Sequence, residues 1–487
     1  MTTLTTSSAT DTLTVSVTSE PLLHRDPLTL YQDVRAVTED CYLFESLAGP
    51  ADDLRCAVVG WGRLAELRFH EGRVELDAEG PVGDALGAAL DAVLGPERRL
   101  AGPGRVFDAI RAAQAVFTVH TDRPAAFAFG FLTTLGYRAA WDIEDLPSPE
   151  RADDTPRQTL TLFQNTAWYD LATGTARLLT ATGPLLPEPA PLPPAGPPAG
   201  HEPPPAPAPA AVHDSVTERE FLARTERCLR HIGVGDVYQI QIGHRIDVQT
   251  ALAPLDAYRR LRHRSPAPYM YLLPWAGRTV VGASPELYVR LEDGVLTMRP
   301  IAGTVAAGPD GEEADASRAA ALSGSAKQRA EHVMLVDLCR NDVGRVCRPG
   351  TLSVDSMMRA EPFGYVHHLV STVSGRTEAG VDVWDVVKAT FPAGTMTGAP
   401  KIRAMELIEE IEREPRGLYA GAVGLVDVRG FAVFALCIRT AVHHRGVYSI
   451  QASAGVVADS DPREEWQETN TKLSAAYWAL TGEELTA

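Results

Sequence analysis

Cysteine is sparse in this chain, long apolar runs are missing, and positive charge is in deficit. The six cysteines, Cys41, Cys56, Cys228, Cys339, Cys347 and Cys437, are scattered and form no CxxC pair. They read as reduced residues of a cytoplasmic protein, not as a disulfide framework or a zinc site. No stretch of about 18 uninterrupted apolar residues occurs, so no membrane span is expected. The N-terminus, MTTLTTSSATDTLTVSVTSE, lacks the basic start and apolar run of a secretory signal. Against 63 Asp and Glu stand only 45 Lys and Arg, a formal net charge of −18, the wrong sign for gripping nucleic-acid phosphates. The phosphate-loop pattern GxxxxGK[ST] is absent as well.

What is present is enough apolar residue for a large core: 45% of 487 residues, one large domain or two to three ordinary ones. Composition breaks once. Between Pro184 and Pro209 lie thirteen of the 36 prolines, a stretch that can make neither ladder nor helix and is expected to be an extended, mobile linker or loop insert. This divides the chain into a disordered polar tail (1–21), an N-terminal unit (22–182), the linker (183–213) and a C-terminal unit (214–487). Helix patterns in DPLTLYQDVRAVTED, GDALGAALDAVLG and SVTEREFLARTERCLRHIG mix with strand patterns in CYLFES, GDVYQIQIGHRIDV, PYMYLLPW and FAVFALCIRTAVHH. ASRAAALSGSAKQRAEHVMLVDLCRNDVGRV reads as helix broken near SGS. Strands and helices come in runs without strict alternation. That predicts an α+β fold, with large antiparallel sheets packed as a β-sandwich-like core flanked by helices.

The stretch FPAGTMTGAPKIRAMELIEEIEREPRGLYAGAVG, Phe391 to Gly424, is the most informative. A Gly/Thr loop leads into a helix with one apolar face (Ile402, Met405, Leu407, Ile408, Ile411), then a turn and a strand. Such a loop offers free backbone N–H groups and the positive end of a helix dipole, which suits an anion. On the last helix, Glu465, Glu468 and Lys472 share a face, and Glu331 sits in the apolar surroundings of AEHVMLVDL. One or two carboxylates with water and substrate oxygens are what Mg²⁺ requires. Arg439, inside FALCIRTAV, needs a carboxylate from protein or ligand.

Together PAGTMTGAPKIRAMELIEEIE…RGLYAGAVG, EHVMLVDLCRNDVGRV, GASPELYVR, RPIAGT and IQASAGVVADSDP…EEWQET resemble the chorismate-utilising enzymes, most closely anthranilate synthase component I. The resemblance implies that family's fold and the following roles. Thr397 and Gly398 hold one chorismate carboxylate; Tyr419, Arg439 and the Gly455 N–H hold the enolpyruvyl carboxylate. Ala302, Gly303 and Thr304 line the substrate. Glu331 and Glu468, with Glu465 beside them, hold Mg²⁺, and Lys472 steadies that end of the site. Glu286 is the acid near the departing C4 hydroxyl, and His368 belongs to the elimination of pyruvate. CYLFESLAG and SPAPYMYLL resemble the family's regulatory segments, so Glu45, Ser46, Pro268, Tyr269 and Met270 are expected around a tryptophan inhibitor.

Two positions select the reaction. Isochorismate and salicylate synthases carry a water-activating lysine where this chain has Gln239, and glutamine cannot serve as that base. Aminodeoxychorismate synthases carry a nucleophilic lysine where it has Ala302. What remains is ammonia attacking ring carbon 2, then pyruvate loss to give anthranilate. No amidotransferase Cys-His-Glu module is visible, which implies a separate glutamine amidotransferase subunit as ammonia source. The chain departs from the family at Gln328, where KERAEH is usual, at Ser453, where QAGAG is usual, at His367 for a common methionine, and in its proline-rich insert. These departures leave a second reading open: a secondary-metabolism enzyme that stops at 2-amino-2-deoxyisochorismate. A non-catalytic regulatory homologue is a third, against which the intact Glu286, Glu331, Arg439, Glu468 and Lys472 argue.

Overall fold

The computed structural model describes residues 12–485 except 24, 101, 103, 124, 125, 149, 150, 152, 199, 201, 307–311 and 365; the side chains of 306, 312–315 and 327 also lie outside the described set. Among the described residues, 22 strands form one hydrogen-bonded network flanked by helices. The expected α+β class with large antiparallel sheets is what the chain adopts.

The network branches at Cys56–His70 in the N-terminal half. One arm runs through Cys41–Glu45, Tyr269–Trp275, Arg278–Ser284, Thr440–His444 and Val447–Val456 to Gln239–Gln249. The other runs through Gln158–Asp170, Gly130–Leu135, Ala422–Asp427, Ala432–Leu436, Leu287–Glu292 and Val295–Met298 to Val366–Arg376, which carries Ile301–Ala306 and Ser353–Phe363. Tyr271, Leu273 and Val280 of the first arm share one buried core with Val289, Val423 and Phe434 of the second. Each arm starts in N-terminal strands and ends in C-terminal ones, so burial of one core requires both sequence halves.

The arms cross between sheets at two short turns. Residues 284–286 connect Arg278–Ser284 to Leu287–Glu292, and 437–439 connect Ala432–Leu436 to Thr440–His444. The turns lock together: Ala283 N–H donates to the Arg439 carbonyl at 3.1 Å, and Leu436 N–H to the Glu286 carbonyl at 3.1 Å. Each turn carries a residue with chemistry to do, Glu286 on one and Arg439 on the other.

The tail expectation needs correction. Leu13–Pro21 is a strand, paired in parallel with Phe117–His120 and antiparallel with Thr175–Thr182. Leu13, Val15 and Val17 point into the core and alternate with polar neighbours, the period of a half-buried strand. Residues 1–11 of that tail lie outside the described residues. The proline-rich segment is extended as expected, but it is held rather than loose. Pro204 O accepts from Arg260 at 2.7 Å, Pro187 O from Gln164 at 2.7 Å, and Gly196 N–H donates to Asp33 at 3.0 Å.

Asp427 staples the two halves. It is fully buried, accepts from Ala128 N–H at 2.7 Å and Phe129 N–H at 3.1 Å, and pairs with Arg429 Nε at 2.8 Å. Removing one partner strands the others, which costs about 3 kcal/mol. Asp427→Ala is therefore expected to lower the thermal unfolding midpoint, whereas an exposed control such as Glu39→Ala should leave it unchanged.

Candidate active site

Glu286 begins from the locked turn. Ser284 Oγ receives its N–H at 3.3 Å, and Thr395 of the Gly/Thr loop donates to Glu286 Oε1 at 3.1 Å. Burial raises its carboxyl to about 8, against the downward pull of Thr395, the Ile301 N–H and the Lys472 ammonium. At neutral pH this side chain carries its proton and can give it away.

Arg439 has the opposite problem. Its φ is 48°, a left-handed conformation that a non-glycine residue adopts only where its surroundings hold it there. Burial lowers its guanidinium, and no carboxylate among the described residues pairs with it. A buried, unneutralised cation is a receptor for an anion.

His368 lies on Val366–Arg376, where its Nδ1 is 2.8 Å from the Gly303 carbonyl and 3.1 Å from Thr304 Oγ1. A carbonyl only accepts, so Nδ1 carries the hydrogen and Nε2 presents a lone pair. Nε2 is buried without a hydrogen-bond partner. Burial, then Arg439, lowers the imidazole to about 3, against the Gly303 carbonyl; Lys472 lowers it further. Glu286, His368, Arg439 and Lys472 thus act on one shared space.

The opposite wall is built around Ser453. Lys472 Nζ donates to the Ser453 carbonyl at 2.8 Å and pairs with Glu468 Oε1 at 2.6 Å. Ser453 Oγ lies 2.7 Å from the Tyr419 hydroxyl and donates to Gln241 Oε1 at 3.0 Å. Gly455 faces Gln241 across the ladder, and a Cβ there would lie 2.8 Å from Gln239 Nε2 and 2.9 Å from Gln241 Nε2. Gly398, at φ 149°, is pinned equally hard: a Cβ would sit 2.2 Å from the Gln239 carbonyl. Thr397 is fully buried and donates its hydroxyl to the Ala393 carbonyl at 3.3 Å. Ala302 lies opposite Leu369 on the ladder that also bears His368.

Of the expected metal ligands, Glu331 lies on the Ala326–Gly344 helix, while Glu465 and Glu468 lie on Pro462–Thr481. Glu465 is buried, and Glu468 is half exposed and engaged by Lys472. Among the described residues no three His, Cys, Asp or Glu side chains gather as a metal cluster. That donor set still suits Mg²⁺, which takes one or two carboxylates and fills its octahedron with water and substrate oxygens.

The pattern matching the chorismate binding enzymes spans residues 59–477. The chain belongs to this family. Among its relatives, 2-amino-4-deoxychorismate synthase of Streptomyces globisporus is 48% identical over 461 residues, covering 92% of each chain. Anthranilate synthase component 1 of Streptomyces coelicolor is 42% identical over 387 residues, covering 74% of each. The crystal structure of anthranilate synthase component I from Streptococcus pneumoniae superposes with a TM-score of 0.68 at 27% identity, covering 87% of this chain and 92% of that one.

Within this chorismate-binding enzyme a second cavity, of about 160 Å³, is lined by Glu45, Ser46, Pro268, Tyr269 and Met270 together. Both Glu45 oxygens are already engaged, by Tyr258 at 2.5 Å and by Arg262 at 3.0 and 3.1 Å. Arg123 and Arg290 also line it, each lowered by burial.

Sequence reading missed four supporting residues: Thr395, Gln241, Glu412 and Arg416. Gln241 was legible, since it shares a strand face with Gln239. Arg416 was legible too, as a cation four residues from Glu412 beside an apolar strand.

The raised Glu286 sets a pH limit. A carboxyl at about 8 is protonated below that value, so an acid-dependent step should persist through neutrality and fade as pH rises past 8. At saturating ammonia, kcat is expected to show this alkaline limb, and Glu286→Gln to lose about 10²–10⁴-fold in kcat. A flat profile to high pH would remove Glu286 as the acid.

Proposed function

We propose that this chain aminates chorismate on ring carbon 2 with ammonia, expels the C4 hydroxyl, and releases the product with its enolpyruvyl ether intact. The observation carrying the amination is the buried, protonated Glu286 together with Arg439, which no carboxylate among the described residues neutralises. Arg439, with the Tyr419 hydroxyl and Gly455 N–H, takes the enolpyruvyl carboxylate. The Thr397–Gly398 loop takes the ring carboxylate. The nitrogen lone pair forms the bond to C2 and the two ring double bonds shift toward C4. The C4–O bond breaks as Glu286 hands its proton to the leaving oxygen, which departs as water. The attached ammonium then loses one proton. Gln239 and Ala302 supply neither a base for water nor an amine of their own, which leaves the nucleophile to come from outside, from a separate glutamine amidotransferase subunit in the cytoplasm. Glu331, Glu465 and Glu468 would hold Mg²⁺, whose charge offsets that of a dicarboxylate in an acidic protein.

The stopping point is supported by the Streptomyces globisporus relative, whose name puts nitrogen on carbon 2 and removes oxygen from carbon 4 of chorismate. That product is the same compound as 2-amino-2-deoxyisochorismate. Continuation to anthranilate, the first expectation from sequence, becomes the second reading; the bare Nε2 of His368 favours it. With chorismate, Mg²⁺ and ammonium salt, the expected outcome is a non-aromatic amine without pyruvate. Stoichiometric pyruvate with anthranilate fluorescence would move the assignment to the second reading. A 4-amino product would move it to an aminodeoxychorismate synthase, and a nitrogen-free product would end both. Glu468→Gln is expected to abolish turnover, and undiminished rates in that variant would remove the metal assignment.

For the second cavity tryptophan is the proposed ligand. Trp168, Val58 and Leu425 give an indole apolar walls, and Arg123 and Arg290 can take its carboxylate. Tryptophan should inhibit turnover, and Arg123→Ala should weaken that inhibition without changing uninhibited kcat. Equal turnover with and without millimolar tryptophan would rule the ligand out.

A further inference from the structure

Gln328 is the departure that touches the chemistry most directly. It stands in the first turn of the Ala326–Gly344 helix, its N–H received by the Ser325 hydroxyl at 3.4 Å. Its side chain folds back over Gly303. A Cβ on Gly303 would lie 2.6 Å from Gln328 Oε1, and Gly303 has φ 63°, so the amide rests on bare glycine backbone. Gln328 Oε1 is buried and has no hydrogen-bond partner among the described residues. The Gly303 carbonyl is in turn the acceptor that fixes the His368 ring at 2.8 Å. The charges that bear most on His368 are those of Arg439 and Lys472, both cationic. Among the described residues the ring therefore has a free lone pair, a fixed orientation and no anion that favours its protonated form.

We propose that Gln328 is a product-determining positioning residue: by seating a neutral amide on Gly303, the residue that orients His368, it withholds the anion that would help the ring take the C2 proton, so the enolpyruvyl ether survives. This rests on the reading that the reaction stops at the amino product. The withheld step is balanced without any co-reactant. His368 Nε2 would accept the C2 proton, the C–H electron pair would become the second bond of a C2=C3 double bond that completes the aromatic ring, and the C3–O bond would break to release enolpyruvate, which ketonises. A carboxylate at 328 would supply the missing anion through the same backbone contact and stabilise the imidazolium formed in that step. The position tolerates one. Glu matches Gln in length and branching, so Gln328→Glu can occupy the same place against Gly303.

The test supplies purified 2-amino-4-deoxychorismate directly, so that amination plays no part, and follows pyruvate. Wild type should release almost none. Gln328→Glu should release it about 10²-fold faster, and the gain should vanish in Gln328→Glu/His368→Ala, a result that a merely structural role would not give. Gln328→Asp brings the same charge on a shorter arm and serves if the first variant does not fold. Folded Glu and Asp variants that bind the compound yet release no more pyruvate than wild type would overturn the proposal alone. Rapid release by wild type would overturn the reading beneath it. A gain that persists without His368 would overturn the route through the imidazole.

Discussion

Glu412 and Arg416 stand one helical turn apart just beyond Lys401–Ile411, and both are buried. Burial alone would lower the guanidinium, but the Glu412 carboxylate holds it above its ordinary range. Arg416 meets Glu412 through two bonds of 2.8 Å, reaches the Met396 carbonyl at 2.8 Å and the Gln241 carbonyl at 3.1 Å, and lies over the Tyr137 ring at 4.7 Å and the Tyr419 ring at 5.7 Å. Glu412 also receives the Gly243 N–H at 2.9 Å. One ion pair thus binds the Gly/Thr loop, the Gln239 strand, the Tyr419 turn and an N-terminal aromatic to a single point. A buried pair is a poor source of net stability, because desolvation offsets most of its Coulomb gain. What this one supplies is position. These four segments, spread from Tyr137 to Tyr419, can satisfy it in only one arrangement, and that arrangement forms the site's floor.

The site above that floor is a problem in charge balance. The protein is acidic overall, yet its proposed substrate is a dianion. The fold answers locally: Arg439 has no partner carboxylate among the described residues, Lys472 is held by the Ser453 carbonyl, and burial keeps the Glu286 carboxyl protonated. The same desolvation that neutralises Glu286 also discharges His368. One physical cause therefore makes an acid of a carboxyl and a neutral ring of a histidine.

Local pattern carried most of the fold. The break at Ser325 between two helices, the closing helix and the strand holding Gln239 follow from caps and periodicity, because local preference and tertiary packing agree there. The strand Leu13–Pro21 did not come through: its Ser and Thr suggested a tail, although Leu13, Val15 and Val17 already alternated, and its partners lie over 100 residues away. Arg439 was visible as a misplaced charge in apolar text, and Glu286 only through the family motif GASPE. The locking of their two turns was not, since it depends on backbone bonds between segments distant in sequence. Nor was the contact of Gln328 with Gly303, which needs a glycine with positive φ and a helix start brought against the same strand.

An acid and a nucleophile of conflicting protonation must meet in this site. Glu286 keeps its proton only below about 8, and in that range dissolved ammonia is almost wholly ammonium, which has no lone pair to offer. Raising the pH frees ammonia but discharges the acid. Ammonium would also be repelled by the Arg439 and Lys472 charges that hold the substrate. A neutral nucleophile generated elsewhere and delivered without passing through water escapes both limits. In the proposed reaction the pressure for a glutamine-hydrolysing partner therefore comes from the same burial that gives Glu286 its proton, and a site that relaxed this burial would gain free ammonia only by losing its proposed leaving-group acid.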